Sequence, residues 1–512
     1  MSTHATTAAH ATASRHSRAL AMVAVMTSSM MQTVDTTIVN VALPQMQGQL
    51  GATTDEISWV LTSYIVASAI FMPLAGYFID RIGQRMCLVA ATGGFVLTSL
   101  ACGLAQNVDQ LVLYRLLQGV AGAALQPLSQ TIVMGIYPIE QRGRAMALAG
   151  IGTMLGPVLG PSLGGWLVQT ADWRWTFFIN LPIGAIAIAC AWWHVPDTPA
   201  RPRGMDWLGF AWIALAVGGL QYALDRGNHL DWFESGEIRL AAALAVAGVA
   251  AFAVHAARSR GTLVFSPRIF LNRNYTIACL ASPLLNFGMM GGMVMNAFLL
   301  QTLIGYTPDH AGNLMAPRGL ALIVGMLAVG RTAARIDPRA SMTFGVVVFA
   351  FGQFMMTRLT PDADAWAFIL PGVVQGFAAA FAMVGTSVAA YSTLGRDQYA
   401  DASGIFSLVR SAGGSIGVAV TVALSTRHTQ VAWQHLGAEV TAVNPRVDEY
   451  VSALHMQGTD PTAIALMANE VGRQALMWSL IDAYMLVTIT SVVVVPLLVA
   501  FKLAPPRPAG AH

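Results

Sequence analysis

Residues 76–85 read Gly76, Tyr77, Phe78, Ile79, Asp80, Arg81, Ile82, Gly83, Gln84, Arg85, a short charged turn with glycines at its bends and apolar runs on either side. The design returns 254 residues later as Gly330, Arg331, Thr332, Ala333, Ala334, Arg335, Ile336, Asp337, Pro338, Arg339. Gln118-Gly119 recurs as Gln375-Gly376, and Gly156 with Gly160 as Gly413 with Gly417, both at an offset of 257. Three matches in chain order at nearly one offset indicate a duplicated chain. Two similar halves of apolar helices, joined by charged turns, are the arrangement in which transporters place a substrate site between the repeats.

The rest of the sequence agrees with a membrane setting. Of 512 residues, 55% are hydrophobic and 10% charged, where a soluble protein carries about 25% charged residues. Mean hydropathy is +0.59. So few charges cannot cover the surface of a soluble chain of this length. The formal net charge of +3 gives no reason to expect nucleic acid. Cys87, Cys102, Cys190 and Cys279 stand singly in or beside apolar runs, with no C-x-x-C pair, so neither a metal site nor a disulfide framework is indicated. No H-E-x-x-H, P-loop or intramembrane Ser/His/Asp set is present, which argues against an enzyme, and no cofactor is expected.

Apolar segments of spanning length, about 20 residues each, fall near 20–42, 56–78, 86–105, 110–133, 145–168, 174–195, 206–224, 238–257, 275–300, 312–334, 341–358, 366–391, 402–425 and 477–501. The fold class expected is an all-α polytopic membrane protein with fourteen helices. With the N-terminus cytoplasmic, Arg81, Arg85, Arg142, Arg144, Arg258, Arg260, Arg331, Arg335 and Arg339 fall inside, and only a minority, among them Arg174, Arg226, Arg239 and Arg358, fall outside. That bias follows the positive-inside rule. The division expected is a cytoplasmic tail at 1–19, a six-helix bundle at 20–195, an insert of two helices at 196–273, a second six-helix bundle at 274–501, and a cytoplasmic tail at 502–512. Within the second bundle, 426–476 reads as an external polar loop where the first half has only about five residues. It is either a tolerated insertion or a contact for a partner.

Further motifs carry a resemblance. Val34 to Pro44 contains Asp35 and Asn40; Arg115 leads into Gln118, Gly119 and Gly122; Gly152, Gly156, Pro157, Gly160, Pro161, Gly164 and Gly165 fill the fifth span. Trp173-Arg174-Trp175 precedes Phe178-Ile179-Asn180 and Pro182, and Leu224-Asp225-Arg226-Gly227 precedes Asp231-Trp232. Together with the 76–85 turn, this ordered set resembles the major facilitator superfamily, and within it the fourteen-span drug/proton antiporter branch of the EmrB/QacA type. The resemblance implies two six-helix halves plus two inserted helices in the inner (cytoplasmic) membrane. It implies proton-coupled export of lipophilic small molecules by alternating access, with a periplasmic adaptor and an outer-membrane channel as partners besides substrate, protons and lipid. Proton-coupled uptake of a nutrient by the same fold is the alternative.

Asp35 and Arg115 are the candidate proton-coupling residues. A carboxylate in mid-span is costly unless paired or protonated, and is a functional candidate by default. At about 1.5 Å per residue, Asp35 and Arg115 fall at similar depth on neighbouring, oppositely running spans. Burial favours a neutral acid and a nearby cation the charged one, so a pairing that breaks and re-forms would move a proton. A purely structural ion pair is the other reading. Gly152, Gly156, Gly160 and Gly164 recur every four residues, close to one helical face, and permit close approach of another helix. With Pro157 they read as a hinge or gate seal, or as ordinary packing. For Asp80, Arg81 and Arg85 the resemblance implies a latch against the second half, beside the topogenic role of the arginines. Gln32, Tyr64, Gln126, Asn286, Met290, Asn296 and Arg410 are candidate cavity residues. Arg318 reads as snorkelling to the outer interface, and Asp482 as interfacial or a second acidic site.

Overall fold

The computed structural model describes residues 15–200, 204–259, 263–333, 336–361, 363–441, 444–453, 455 and 460–501. The expected tails at 1–14 and 502–512, and Ala334 of the repeat, lie outside them.

Fourteen long helical columns follow one another: α1 Arg15–Leu50, α2 Thr54–Ile82, α3 Gln84–Gly103, α4 in two segments Val108–Gly122 and Leu125–Ile136, α5 Ile139–Thr170, α6 Trp175–His194, α7 Trp207–Arg226, α8 Gly236–Arg258, α9 Arg273–Leu303, α10 Pro308–Thr332, α11 Pro338–Met356, α12 Ala365–Tyr391, α13 Tyr399–Ala438 and α14 Pro461–Val499. Among the described residues, eleven are long and apolar enough to cross a membrane, and α5, bent by 46° between Gly160 and Ser162, makes twelve. The two columns left out are α1 and α4. Their apolarity is diluted by Ser28, Ser29, Gln32 and Asp35 in α1 and by Arg115, Gln118, Gln126 and Gln130 in α4, most of them buried. The helices that look least like membrane spans carry the polar interior of the protein.

Helices α1–α6 form one half and α9–α14 the other, while α7 and α8 pair with each other and α7 packs on α2 and α13. The start of α1 and the end of α14 share a face with the basic turns, the basic face: Tyr137 donates to the Arg18 carbonyl at 3.1 Å and Arg273 to the Ala500 carbonyl at 3.0 Å.

Three expected boundaries move. Residues 15–19 are the first turn of α1, not tail. At the opposite end, α1 runs on to Leu50 instead of stopping near 42. Met46 is fully buried there, and Gln49 Oε1 accepts a bond from the fully buried Trp173 indole at 2.8 Å. The segment 426–476, expected as an external loop, is mostly helix among the described residues. α13 continues to Ala438, α14 begins at Pro461 in its first turn, and a short helix, Pro445–Ala453, lies between them. The extensions pair through Ser425 and Ser479 at 3.1 Å and His428 with Asp482 at 2.7 Å. A cavity of about 540 Å³ lies beyond, lined in part by Trp433, Val440, Val451, Ile464 and Met467. Hydropathy marks where apolar character ends, and a helix continues past that point when its polar turns find partners.

Candidate functional site

Asp35 and Arg115 meet inside the first half, both fully buried. An Arg115 guanidinium nitrogen lies 2.6 Å from Asp35 Oδ2 and also donates to Gln118 Oε1 at 2.7 Å. The other carboxylate oxygen accepts from Gln118 Nε2 at 3.1 Å and Asn180 Nδ2 at 2.8 Å. Asn180 also donates to Ser99 Oγ at 2.9 Å, and Arg115 Nε donates to the Val60 carbonyl at 3.1 Å. Five helices (α1, α2, α3, α4 and α6) thus converge on one carboxylate and the donors around it. The Arg115 guanidinium stands 4.3 Å from the Tyr64 ring centroid. The Tyr64 hydroxyl, Gln32 Oε1 and the second terminal nitrogen of Arg115 have no partner among the described residues. Next to Asp35 there is therefore unused bonding capacity that a displaced Arg115 could take up.

The α4 sequence places Arg115 and Gln118 one turn apart on a single face, with Gly119 beside them. A Cβ on Gly119 would stand 2.5 Å from the Tyr64 carbonyl oxygen, so the glycine lets α2 close on α4 and brings Tyr64 over the guanidinium. Asn180, Gln118 and Ser99 were not singled out as site residues. The signal available was an amide in the apolar start of α6 and a glutamine three residues from the arginine.

The α5 glycines spaced four apart all pack on one helix of the same half. Gly152 abuts Met26, Gly156 abuts Thr33, Gly160 abuts Thr37 and Gly164 abuts Ile38, all on α1. Thr37 Oγ1 also donates to the Gly156 carbonyl at 3.1 Å. This face is the α1–α5 seam within one half. The seam between halves is made by other positions of α5: a Cβ on Gly150 would come within 2.8 Å of Met326, and Gly143 faces Ala333, both on or at the end of α10.

Direct hydrogen bonds join the two halves on the basic-face side of Asp35. Tyr391 donates to Gln130 Oε1 at 2.7 Å, Thr131 and Ser403 share a bond of 2.8 Å, and Arg142 donates to the Tyr399 hydroxyl at 2.9 Å. Arg142 is buried, not merely topogenic. Nothing in the sequence marked Tyr391, Tyr399 or Ser403. Gly76 sits against Asp401 in the first turn of α13, where a Cβ would lie 3.0 Å from the Asp401 backbone. Asp80 follows one turn later on the same α2 face. Arg81 turns back to Tyr77, and Arg85 donates to the Val195 carbonyl at 2.7 Å, so these two arginines bind within the first half.

Other expected cavity residues divide. Asn286 donates to the Arg410 carbonyl at 2.8 Å, and both line one cleft between α9, α12 and α13, with Met290 against Gly414 beside it. Gln126 is half-buried on α4. Gln32 is buried, donating to the Gly122 carbonyl at 3.1 Å. Asn296 is also buried, accepting from Tyr484 at 2.7 Å, and serves as an α9–α14 pin. Arg318 does not snorkel outward: its flank packs on Gly372 and Gly376 of α12, and one guanidinium nitrogen is buried without a partner among the described residues.

The repeat is unequal at this site. Gly413 and Gly417 of α13 meet Pro283 and Phe287 of α9, as Gly156 and Gly160 of α5 meet Thr33 and Thr37 of α1. Asp35 therefore corresponds to Leu285, and at the 257 offset Arg115 corresponds to Gly372. The second half has no copy of the ion pair.

Comparison with known proteins agrees with this architecture. The family model of the Major Facilitator Superfamily matches residues 25–418. The chain is 33% identical to the fatty acid resistance protein FarB of Neisseria gonorrhoeae over 94% of its own length and 95% of that protein's. It is 32% identical to the multidrug export protein EmrB of Escherichia coli strain K12, over 89% of this chain and 90% of that one. Among solved structures, the human organic anion transporter MFSD10 (TETRAN) superposes with a TM-score of 0.60 at 13% identity, covering 92% of this chain and 99% of that one. That likeness is one of fold.

Proposed function

The chain belongs to the Major Facilitator Superfamily, in the drug/proton antiporter branch that includes EmrB and FarB, and from that premise we propose that it is a proton-coupled exporter of lipophilic drugs or other toxic small molecules. The observation that carries the reading is the fully buried Asp35–Arg115 pair with its amide donors. In this reading a proton reaching Asp35 removes its charge, Arg115 loses its counter-ion, and the guanidinium shifts toward Tyr64 and Gln32. That rearrangement, on helices sharing the α1–α5 seam, biases the two halves between arrangements. The basic face is cytoplasmic, as its arginines favour, both termini lie there, and the membrane is the inner one. The bonds of Gln130, Thr131 and Arg142 to α12 and α13 then seal the cytoplasmic side, so this arrangement faces outward. Asp80 latches the start of α13, where the helix dipole favours a carboxylate. The projecting ends of α13 and α14 meet a periplasmic adaptor that leads to an outer-membrane channel.

Purified protein in liposomes, loaded with a lipophilic dye and given a pH gradient, tests the coupling. Dye should move against protons, and dissipating the gradient should stop it. Whole-cell accumulation with and without a protonophore separates export from nutrient uptake: export predicts that the protonophore raises intracellular dye, uptake that it lowers it.

A further inference from the structure

We propose that the two-helix insert is a clasp on the face opposite the basic face: α7 is fixed to α2 of the first half and holds α13 of the second through bonds that release each time that face closes. The proposal goes beyond the exporter reading and rests on it only for the rocking of the two halves.

Leu224-Asp225-Arg226-Gly227 and Asp231-Trp232 take no part in the Asp35 site, and their place is at the end of α7. Asp225 accepts from the Thr62 hydroxyl of α2. Arg226 donates to Ser58 Oγ at 2.7 Å and to Asp55 Oδ1 at 3.2 Å, both also on α2, and its guanidinium lies 5.7 Å from the Trp59 ring centroid. Two turns earlier on α7, Gly218 packs on Ile70 of α2. Beyond the helix the chain turns at Gly227, where a Cβ would stand 2.8 Å from the Trp232 ring, and Asp231 and Trp232 both take positive φ, 51° and 52°. The turn brings the Trp232 indole to Asn228 Oδ1 at 3.1 Å, which aims the Asn228 amide nitrogen at the Ala419 carbonyl of α13, 3.3 Å away. Gln221, 6% exposed, donates to Ser415 Oγ of α13 at 3.0 Å.

The two attachments are unequal. Toward α2 they involve an arginine and two carboxylates; toward α13 they join neutral amides to a hydroxyl and a carbonyl. Hydrogen bonds with an ionised partner are about twice as strong as neutral ones, so α7 travels with the first half. Place sets the moment of release. Direct packing of α2 on α13 is concentrated toward the basic face, where Gly404 faces Met72 and Pro73 and Gly76 faces Asp401. Ser415 lies sixteen residues, about 24 Å, from that end of α13, and at its level α7 stands against both helices. The α7–α13 bonds therefore hold the far ends of α2 and α13 at the separation that accompanies a sealed basic face. Opening the basic face brings those far ends together, and Gln221 and Asn228 then have to let go.

The test uses the full chain in liposomes carrying Cys190→Ser, since the other three cysteines are buried. Two pairs are made, Gln221→Cys with Ser415→Cys and Thr62→Cys with Asp225→Cys. Each is bridged by a short bifunctional methanethiosulfonate that a reductant removes, and the unbridged pair is its own control. The α7–α13 bridge should stop dye transport, with recovery on reduction, because conformational steps gate turnover. The α7–α2 bridge should leave transport nearly unchanged. Full transport through a bridged α7–α13 pair, or arrest by the α7–α2 bridge, overturns the proposal. A second measurement needs no substrate. Ser415→Ala and Gln221→Leu each remove one of the two bonds to α13, so a cysteine placed near the basic-face seam should react severalfold faster with a membrane-impermeant thiol reagent. Unchanged reactivity in both folded variants also overturns the clasp. Protein that moves no dye even when reduced counts against the exporter reading, and the reactivity alone then decides the clasp.

Discussion

Asp35 and Arg115 form an ion pair of 2.6 Å with neither side chain reaching solvent. Removing one partner of such a pair costs about 3–5 kcal/mol, because the other charge is left buried and uncompensated. Asp35→Asn is expected to lower the melting temperature and abolish pH-gradient-driven efflux. Those two losses alone do not separate a proton site from a structural pair. The double variant Asp35→Asn with Arg115→Gln does, since it is neutral and keeps amides where the charges were. Stability should largely return and coupled efflux should not. Recovery of gradient-dependent efflux in the double variant would assign the pair to structure alone.

The two glycine faces of α5 predict two phenotypes. Gly156→Leu drives a side chain into Thr33 and the α1 backbone, so it should destabilise the first half by about 1–3 kcal/mol or more. Gly150→Leu meets only the tip of the flexible Met326 side chain of the other half. It should leave the melting temperature nearly unchanged while making a cysteine placed near the basic-face seam more reactive to a membrane-impermeant thiol reagent. If Gly150→Leu unfolds the protein and Gly156→Leu does not, the assignment of the seams is reversed.

How far the sequence could be read follows from what each feature depends on. The halves, the insert and the Asp35–Arg115 pair rest on local apolar runs, a repeat and a shared depth, and these are visible in one dimension. The partner of the α5 glycines is not visible there. Small residues four apart specify that some helix comes close, and α1 and α10 fit equally well on paper. Tyr391, Tyr399 and Ser403 become a seal only because distant helix ends converge, so no spacing along the chain announces them. Arg318 departs from its expected place for the opposite reason: snorkelling assumes that lipid faces the residue, and α12 covers it with Gly372 and Gly376.

The seal itself can be weakened by one atom. Tyr399→Phe removes the hydroxyl that accepts from Arg142 at 2.9 Å and leaves a buried guanidinium short of a partner. A hydrogen bond to a charged group contributes about 1.5–3 kcal/mol, so the balance between the sealed arrangement and its alternative should move by about tenfold or more. Accessibility of a basic-face cysteine should rise accordingly, without loss of folded protein. Unchanged accessibility would show that Thr131, Gln130 and the α5–α10 packing hold the face shut by themselves.

The projection beyond α13 and α14 is the remaining site to test, and its architecture sharpens the experiment. A flexible loop of fifty residues could be deleted with little consequence, since closure entropy grows slowly with length. Two paired helical extensions are another matter, because they expose Trp433 and Ile464 beside a cavity of about 540 Å³. An apolar, concave tip on an otherwise polar projection suits a protein partner. Removing the tip, residues 434–466, and rejoining the extensions through a brief Gly/Ser turn keeps the Ser425–Ser479 and His428–Asp482 contacts. If the tip docks an adaptor, the shortened protein should transport dye normally in liposomes and fail to protect whole cells. Full protection at normal expression would mean that the projection has no partner, and loss of transport in liposomes would place it within the transport cycle.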